Sequence, residues 1–238
     1  MLDKKRGYAE HRPFYTVDTG VNIHAGMVAF LTSVGGVAVA TTGASGTVPI
    51  GTFWKDRAAT YIRTTIESKT FSLAGIITLS KGNVLSTGDI KVTNSAGTVV
   101  YTQGADYLVN TTNGVITRGA GLIPMLATVV IWYKYSLLAT QVVWDNVSTK
   151  WTAVGQNYDR QPDDTLGSGK ITIAEGLAKV YTDQYDVTRT YTLNQALRSN
   201  VNSMWTNTGV FTSVIGRVLS VPSASDPFLG VQQITVAA

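Results

Sequence analysis

The amino-acid sequence predicts a mainly β protein: a β-sandwich or barrel-like body, a small β-sandwich domain inserted into it, and an extended N-terminal arm. Of the 238 residues, 33 are threonine, and β-branched side chains suit the pleated surface of a strand. Short apolar runs of strand length are separated by glycine-containing turns along most of the chain. We therefore expect at least about 40% strand and little helix.

Charge is sparse throughout the chain. Asp, Glu, Lys and Arg make up 14% of the residues and the net charge is +4, whereas an ordinary soluble domain has about 25% charged residues. The apolar fraction of 44% is too high for a disordered chain. Because a surface with few charges tends to associate with other surfaces, the composition favours a protein that becomes part of an assembly.

Residues 1–20 form the predicted arm. The segment is basic, contains Pro13 and shows no sustained periodicity. It has too few apolar residues to offset the entropy of ordering by itself, which leaves a disordered tail or a segment ordered by a neighbouring chain. In the second case its basic and aromatic residues would make the partner contacts: Lys4, Lys5, Arg6, Tyr8, Arg12, Phe14 and Tyr15.

Residues 21–71 and 139–238 form the predicted body. Seven apolar runs in it have the length of strands: 27–31, 37–41, 48–54, 170–173, 177–181, 214–221 and 232–236. Residues 55–70 are ambiguous, because Ile62 and Ile66 have helical spacing while the threonines favour a strand. The segment that starts at Thr192 fits either one short helix with an N-terminal capping box or a strand and turn.

Residues 72–138 form the predicted inserted domain, where the strand pattern is clearest. Two hairpins are expected, one from 89–93 and 98–101 and the other from 107–109 and 115–117. The second encloses Asn113-Gly114, and Asn-Gly between strand residues predicts a tight turn in which both residues have positive φ. With a further strand at 129–135, the spacing indicates a small β-sandwich of immunoglobulin-like type.

The sequence offers few groups for catalysis or for a cofactor. It has no cysteine, and its two histidines, His11 and His24, are too few for the usual histidine metal site. The Gly-Ser-Gly-Lys stretch at 167–170 lacks the first glycine and the hydroxyl residue of a phosphate-binding loop. Four aspartates could pair as in glycoside hydrolases but are better explained as solvated turn residues: Asp163, Asp164, Asp183 and Asp186. We expect no enzyme activity, no metal and no cofactor.

Aromatic residues leave two interpretations open. Five tryptophans and eleven tyrosines could mark a sugar-binding face, although aromatic residues in β proteins more often anchor cores and interfaces. Trp144 and Trp151 lie on either side of a predicted turn at 146–150 and form the most informative pair.

Neither a membrane nor a nucleic acid is an expected partner. The N-terminal segment lacks the apolar run of a signal peptide, and the longest apolar stretch, 122–132, is about half of a membrane helix. The net charge of +4 is small, and the basic residues are concentrated only in the arm, which argues against nucleic-acid binding.

Two groups of residues carry a resemblance to known proteins. In the inserted segment they are Gly88-Asp89, Gly97, Gly104, Asp106-Tyr107, Gly114 and Ile116, and this pattern resembles small β-sandwich modules in structural proteins of tailed bacteriophages. In the body they are Gly26-Met27-Val28, Pro49-Ile50-Gly51, Ile215-Gly216-Arg217-Val218 and the segment 222–230. The body thereby resembles phage capsid decoration, or cement, proteins, and the likeness covers most of the chain.

This resemblance implies a protein that docks on an assembled capsid lattice as a homotrimer and stabilises the shell. Its partners would be the major capsid protein and copies of itself, and its place would be the capsid surface of the virion after synthesis in the host cytoplasm. Two other functions stay open: a structural protein of the tail tube, neck or baseplate, and a carbohydrate-binding or adhesion module on the virion surface.

Overall fold

The protein is mainly β, as the sequence predicts. The computed structural model describes residues 2–3, 10–16, 23–31, 37–38, 48–53, 60–138, 142–145, 150–153, 159–160, 170–209 and 211–234. Strands make up 48% of the structure. Within the described ranges there is no α-helix, and Thr87–Asp89 forms a single 3-10 turn. The prediction of at least about 40% strand with little helix is therefore confirmed.

Twenty-one strands occur in the described part of the chain. In chain order they are β1 (Leu2–Asp3), β2 (Glu10–Thr16), β3 (Val28–Leu31), β4 (Val37–Ala38), β5 (Val48–Phe53), β6 (Thr60–Thr70), β7 (Ile76–Thr78), β8 (Ile90–Asn94), β9 (Val100–Tyr101), β10 (Tyr107–Asn110), β11 (Val115–Arg118), β12 (Thr128–Leu138), β13 (Val142–Asp145), β14 (Lys150–Ala153), β15 (Asp159–Arg160), β16 (Lys170–Glu175), β17 (Lys179–Thr182), β18 (Ala196–Ser199), β19 (Trp205–Thr206), β20 (Gly216–Ser220) and β21 (Leu229–Gln233).

The chain divides into two compact units. The larger comprises residues 1–61, 138–222 and 228–238, and the smaller comprises 62–137 and 223–227. The smaller unit starts ten residues before the predicted boundary at 72. The reason is that the described part of the ambiguous segment, residues 60–70, is the strand β6. It pairs with β12 in one sheet, so most of it belongs with the strands that follow.

Among its described residues, the larger unit contains three sheets. A six-stranded sheet has the order β1-β17-β21-β20-β18-β19, a five-stranded sheet has the order β2-β16-β5-β3-β4, and β13-β14-β15 form a third. One core cluster lies on the five-stranded sheet and the segment before it: Ile23, Met27, Ala29, Ile50, Phe53 and Ile173. Position 51 of β5 requires glycine, because the Cβ of any other residue would lie 2.2 Å from the backbone oxygen of Ala174.

The described parts of the N-terminal arm are edge strands of the chain's own sheets. β1 pairs with β17, and β2 pairs with β16, where Arg12 lies opposite Ile173 and Tyr15 opposite Ile171. For these residues the expectation of an arm ordered mainly by other chains is wrong. The backbone groups of β16 and β17 at the sheet edges need hydrogen-bond partners, and the N-terminal residues supply them.

The smaller unit contains two sheets, with strand orders β10-β11-β7 and β6-β12-β8-β9. Both predicted hairpins are present, as the antiparallel pairs β8/β9 and β10/β11. The order is not that of an immunoglobulin domain, in which the first strand neighbours the second and the third neighbours the sixth. Here the first strand of the unit, β6, neighbours the last, β12.

The turn at Asn113-Gly114 differs from the predicted two-residue type. The register places Asn110 opposite Val115, so the loop has four residues. Gly114 has positive φ, 67°, and its N–H donates to the Asn110 carbonyl at 3.0 Å. The Asn110 side-chain oxygen accepts the N–H of Thr112 at 3.1 Å. This side-chain bond replaces the turn hydrogen bond that the tight hairpin would have made.

The short helix considered after Thr192 is not present. The Thr192 N–H donates to the Gln195 side-chain oxygen at 3.1 Å, which is one half of a capping box. Asn194 then adopts a φ of 62°, which a helix does not allow, and the chain continues as β18. The alternative of a turn followed by a strand is therefore confirmed.

Candidate interaction surface

Two neighbouring loops of the smaller unit expose large apolar side chains. One loop, residues 71–75, joins β6 to β7, and the other, residues 119–127, joins β11 to β12. The Phe71 N–H donates to the Ala127 carbonyl at 3.1 Å, and the Arg118 N–H donates to the Gly75 carbonyl at 2.7 Å. Four apolar residues of these loops form a surface that we call the apolar tip: Leu73, Leu122, Met125 and Leu126.

The apolar tip is strongly exposed and carries no charge. Leu73 is 78% exposed, Leu122 76%, Met125 61% and Leu126 50%. Neither 70–80 nor 119–133 contains a charged residue. A single exposed leucine on a protein surface is ordinary, but several together on adjacent loops are typical of a surface that binds another molecule.

A buried carboxylate holds the second loop in place. Asp106 is 4% exposed, and its two side-chain oxygens accept the N–H groups of Thr102 and Leu122, each at 2.6 Å. In addition, the Gly119 N–H donates to the Asp106 carbonyl at 2.7 Å. The backbone at Leu122 is therefore fixed by a charge-assisted hydrogen bond from the neighbouring β9–β10 connection.

Two glycines make this arrangement possible. A side chain at Gly121 would begin 2.1 Å from the Asp106 side-chain oxygen, and one at Gly119 would begin 2.3 Å from the Ala105 carbonyl oxygen. Real Cβ atoms do not approach other atoms so closely, so the loop requires glycine at both positions. The Gly-Ala-Gly sequence at 119–121 thus lets the backbone pass directly over Asp106.

The remainder of the loop is also held by specific contacts. The Arg118 side chain donates to the Ile123 carbonyl at 3.1 Å, and the Ala127 N–H donates to the Pro124 carbonyl at 3.3 Å. Leu126 has a φ of 58°, in the left-handed region that costs a non-glycine residue about 1–2 kcal/mol. A leucine held in that conformation and left half exposed indicates a loop whose shape is set by its surroundings.

The hydrogen bonds to Asp106 lower the pKa of its carboxyl group below the ordinary value of 3.8, with the Thr102 bond the larger cause and the Leu122 bond the second. The carboxylate therefore stabilises the folded state fully above the unfolded pKa, and this contribution is lost as the pH falls through the lower folded value. We predict that Asp106→Asn is less stable than the native chain by a constant amount between pH 5 and 7.

Below about pH 3.8 the difference in free energy of unfolding should shrink, because the native carboxyl becomes protonated as well. Urea unfolding of the two chains at pH 7, 5 and 3 measures it. Asp89→Asn is the matched control, since that side chain accepts a hydrogen bond from the Ser86 hydroxyl at 2.6 Å rather than from backbone amides. A difference that stays constant down to pH 3 would contradict the prediction.

A second carboxylate of the smaller unit fastens a different loop. Glu67 accepts the hydroxyl of Tyr133, the hydroxyl of Ser80 at 2.8 Å and the Ser80 N–H at 3.1 Å. Lys69 is also 3.3 Å from it. Burial, and next the hydrogen bond to Glu67, raise the pKa of Tyr133 well above its ordinary value, so the phenol stays a donor. Because these donors occupy its oxygens, Glu67 has a structural role: it joins β6 to Ser80 and to Tyr133 of β12.

The structure describes three of the seven predicted partner-contact residues of the arm. Arg12, Phe14 and Tyr15 belong to β2 in the larger unit, and their role as contacts stays a prediction. The other four lie outside the described residues: Lys4, Lys5, Arg6 and Tyr8.

Both histidines of the chain belong to the larger unit. His24 is 2% exposed, with its backbone N–H 3.3 Å from the Met27 sulfur, and His11 lies in β2. In the part of the chain that the structure describes, no three metal-binding side chains come together. No helix among these residues is long and apolar enough to cross a membrane.

The acidic residues divide into three cases. Asp186 is a turn residue as predicted, with its side chain accepting the Thr188 N–H at 3.0 Å and lying 3.3 Å from the Arg189 guanidinium. Asp183 is not a solvated turn residue, because it is 1% exposed and accepts a hydrogen bond from the Gln184 side chain at 2.9 Å. Asp163 and Asp164 lie outside the described residues, as does the 161–169 stretch that contains Gly167.

Trp144 and Trp151 form a directly opposed pair. β13 and β14 are antiparallel, and the register places Trp144 opposite Trp151 and Trp151 opposite Arg160 of β15. The register therefore aligns the three residues across the three-stranded sheet. The two tryptophans lie on paired antiparallel strands, and residues 146–149 of the predicted turn lie outside the described residues.

The sequence interpretation missed the apolar tip. Part of it lies in the longest apolar stretch, 122–132, whose length predicts only that it is too short to span a membrane. The structure divides that stretch into an exposed loop, which holds Leu122 and Met125, and the start of the buried strand β12. A glycine pair at 119 and 121 followed by leucine and methionine, without a polar residue between, was the available indication of a loop with exposed apolar residues. Comparison of the chain with models of protein families, with curated proteins and with solved structures finds no match.

Proposed function

We propose that the protein is a non-enzymatic structural component of a tailed-bacteriophage virion, which docks on the assembled capsid lattice as a decoration protein and stabilises the shell. The observation that carries the proposal is the apolar tip: four large apolar side chains, 50–78% exposed, on loops without charge. A monomer in water gains nothing from this exposure, whereas burial against another chain removes the apolar surface from water.

The way the apolar tip is built also supports assembly. Asp106, Gly119 and Gly121 fix the second loop before any partner binds, so little conformational entropy is lost on association. Each contact of this size is weak alone, at about 1–2 kcal/mol for each partly exposed side chain before the cost of association. Repetition over a lattice makes weak contacts strong in sum, which suits a shell protein better than a one-to-one complex.

The low charge of the chain fits the same function. With 14% charged residues and a net charge of +4, the surface offers few charges that would have to lose water on docking. Partners would be the major shell protein and further copies of the chain. A structural protein of the tail tube, neck or baseplate would use the same kind of contacts. The two functions are distinguished by where in the virion the protein is found.

The test compares virions made with and without this chain. We predict that virions carrying the protein release their DNA at a higher temperature, measured with a DNA-binding dye during heating. The Leu122→Ser/Met125→Ser variant should bind to virions in smaller amounts than the native chain does. Virions assembled with this variant should then release their DNA at the same temperature as virions that lack the protein. Leu177→Ser, which alters a 70% exposed leucine of the larger unit, is the control. Equal release temperatures with and without the bound protein would overturn the proposal.

A second candidate function is adhesion to a saccharide. It is favoured by the register that places Trp144 opposite Trp151 and Trp151 opposite Arg160 in the three-stranded sheet, because indole rings stack on sugar rings and arginine donates to hydroxyl groups. Binding to a glycan array that is lost in Trp151→Ala, without a change in virion heat resistance, would favour this function over the first.

A further inference from the structure

The apolar tip has a geometry that suits contact with a copy of itself. It consists of two loops joined by backbone hydrogen bonds, with Leu73 on one and Leu122, Met125 and Leu126 on the other. A two-fold axis between two molecules would bring the two loops of one copy against the same two loops of the other. Interfaces of this isologous kind form closed dimers and need no second, different surface.

We infer that the apolar tip binds the apolar tip of a second copy of this chain. Charge supports this occupant, since neither loop has a charged residue between 70 and 80 or between 119 and 133. The charge next to the second loop is Arg118, which is half-buried and whose side chain donates to the Ile123 carbonyl at 3.1 Å. The loops themselves bring no like charges together, although each copy has a net charge of +4. A partner with charged groups at this position would bury them without compensation.

The area of the apolar tip fits a weak dimer. The four side chains expose roughly 400–500 Å² together, which is within the range of the largest apolar patch on a monomer. Two tips with their rims of Ser72, Ala74 and Pro124 approach the roughly 1,200 Å² at the low end of specific interfaces. Met125 adds an adaptable side chain that can fill gaps between two identical surfaces.

A lipid surface is the other occupant that apolar loops would suit. Loops that bind membranes usually combine apolar residues with Lys or Arg for anionic head groups and with Trp at the interface. The two loops of the apolar tip, 71–75 and 119–127, contain no Lys, Arg or Trp, and the adjacent Arg118 donates to the Ile123 carbonyl. The observations therefore favour protein over lipid, and vesicle binding becomes one outcome of the test.

The inference rests on the proposed function for the use of the apolar tip in assembly, but its test requires no virion. Sedimentation velocity of the full chain from 1 to 100 µM should show self-association that persists as salt is raised from 50 to 500 mM, because no ion pair is involved. Leu122→Ser/Met125→Ser should weaken it by at least about tenfold, since four apolar side chains are lost across a symmetric interface. Leu177→Ser should leave it unchanged.

Cross-linking gives a second measurement that does not depend on affinity. The chain has no cysteine, so Met125→Cys introduces one thiol on the apolar tip and Leu177→Cys one thiol elsewhere. With a short bismaleimide, the first should give covalent dimers and the second should stay monomeric. Circular dichroism of each variant checks that the fold is retained.

Three results would overturn the inference. They are a native chain that is monomeric at 100 µM, association that survives Leu122→Ser/Met125→Ser unchanged, and a monomer that binds phosphatidylcholine vesicles through the apolar tip. A monomeric chain that still raises the heat resistance of virions overturns the self-contact and leaves the proposed function intact. A dimer that depends on the apolar tip, formed by a chain that does not change the heat resistance of virions, overturns the proposed function and leaves the inference intact.

Discussion

Replacing Trp205 by alanine is expected to lower the free energy of unfolding by about 3–5 kcal/mol, the usual cost of removing a buried large aromatic side chain. Trp205 is 1% exposed, and its indole N–H donates to the Gly26 carbonyl at 3.0 Å. Its backbone N–H and carbonyl bond to Gln184 and Asp186 at 3.0 and 2.9 Å. The residue thus connects the segment at Gly26 with the segment 184–186 of the same unit.

The size of the effect depends on how far the surrounding side chains can fill the space that the indole ring leaves. Tyr185 and Val218, both 1% exposed, belong to the same unit, and a tightly packed interior closes only partly over a lost indole. Gly26 keeps one partner, because the Thr182 hydroxyl donates to its carbonyl at 3.1 Å. The lost free energy of unfolding therefore comes mainly from the volume of the removed indole ring and less from an unpaired Gly26 carbonyl.

Urea unfolding measures the free energies, with two comparison variants. Trp205→Phe keeps most of the ring volume and loses the N–H, so it should cost about half as much as alanine. Leu177→Ala changes an exposed residue and should lie within about 0.5 kcal/mol of the native chain. A cost below about 1 kcal/mol for Trp205→Ala would show that the larger unit does not depend on this side chain.

The strands were predictable from sequence because their signal is local. Valine, isoleucine and threonine alternate with polar residues in 90–94 and 115–118, and β8 and β11 lie at those positions. Turn chemistry was less predictable. At Asn113-Gly114 the side chain of Asn110 takes over a backbone hydrogen bond, and this choice depends on a residue outside the dipeptide that was used for the prediction.

The pairing of the arm could not be predicted, because composition does not say which sheet edges need a partner. Residues 10–16 contain Pro13, His11 and two charged residues, Glu10 and Arg12, and by propensity make a poor strand. They form β2 because β16 offers an unpaired edge. Likewise, the apolar tip depends on Asp106, which is 16 residues before Leu122 in the chain, and only the fold brings the two together.

Replacing Gly121 by alanine is expected to lower the free energy of unfolding by about 1–3 kcal/mol, the cost of forcing an extra methyl group into a filled site. The new Cβ would begin 2.1 Å from the Asp106 side-chain oxygen and 3.0 Å from the Ala105 carbonyl oxygen. Asp106 can move away only by giving up its bonds to Thr102 and Leu122, so the strain passes directly into the second loop of the apolar tip.

Gly88→Ala is the matched control for this substitution. It adds the same methyl group in the same unit, where the nearest atom is the Ser86 hydroxyl oxygen at 3.6 Å and φ lies outside the left-handed region. It should change stability by less than about 0.5 kcal/mol. The two variants therefore separate the close contact at Gly121 from the general effect of replacing glycine in a chain.

Hydrogen exchange at Leu122 connects the stability change with the surface. In the native chain the Leu122 N–H is bonded to a buried carboxylate and should exchange slowly. In Gly121→Ala that protection should fall while amides of β8 and β12 keep theirs, because these strands pair with each other independently of the loop. Self-association should weaken together with the protection, since a loop that has lost its fixed shape must be ordered again when two tips meet. Unchanged protection of Leu122 with unchanged association would show that Asp106 does not set the shape of the apolar tip.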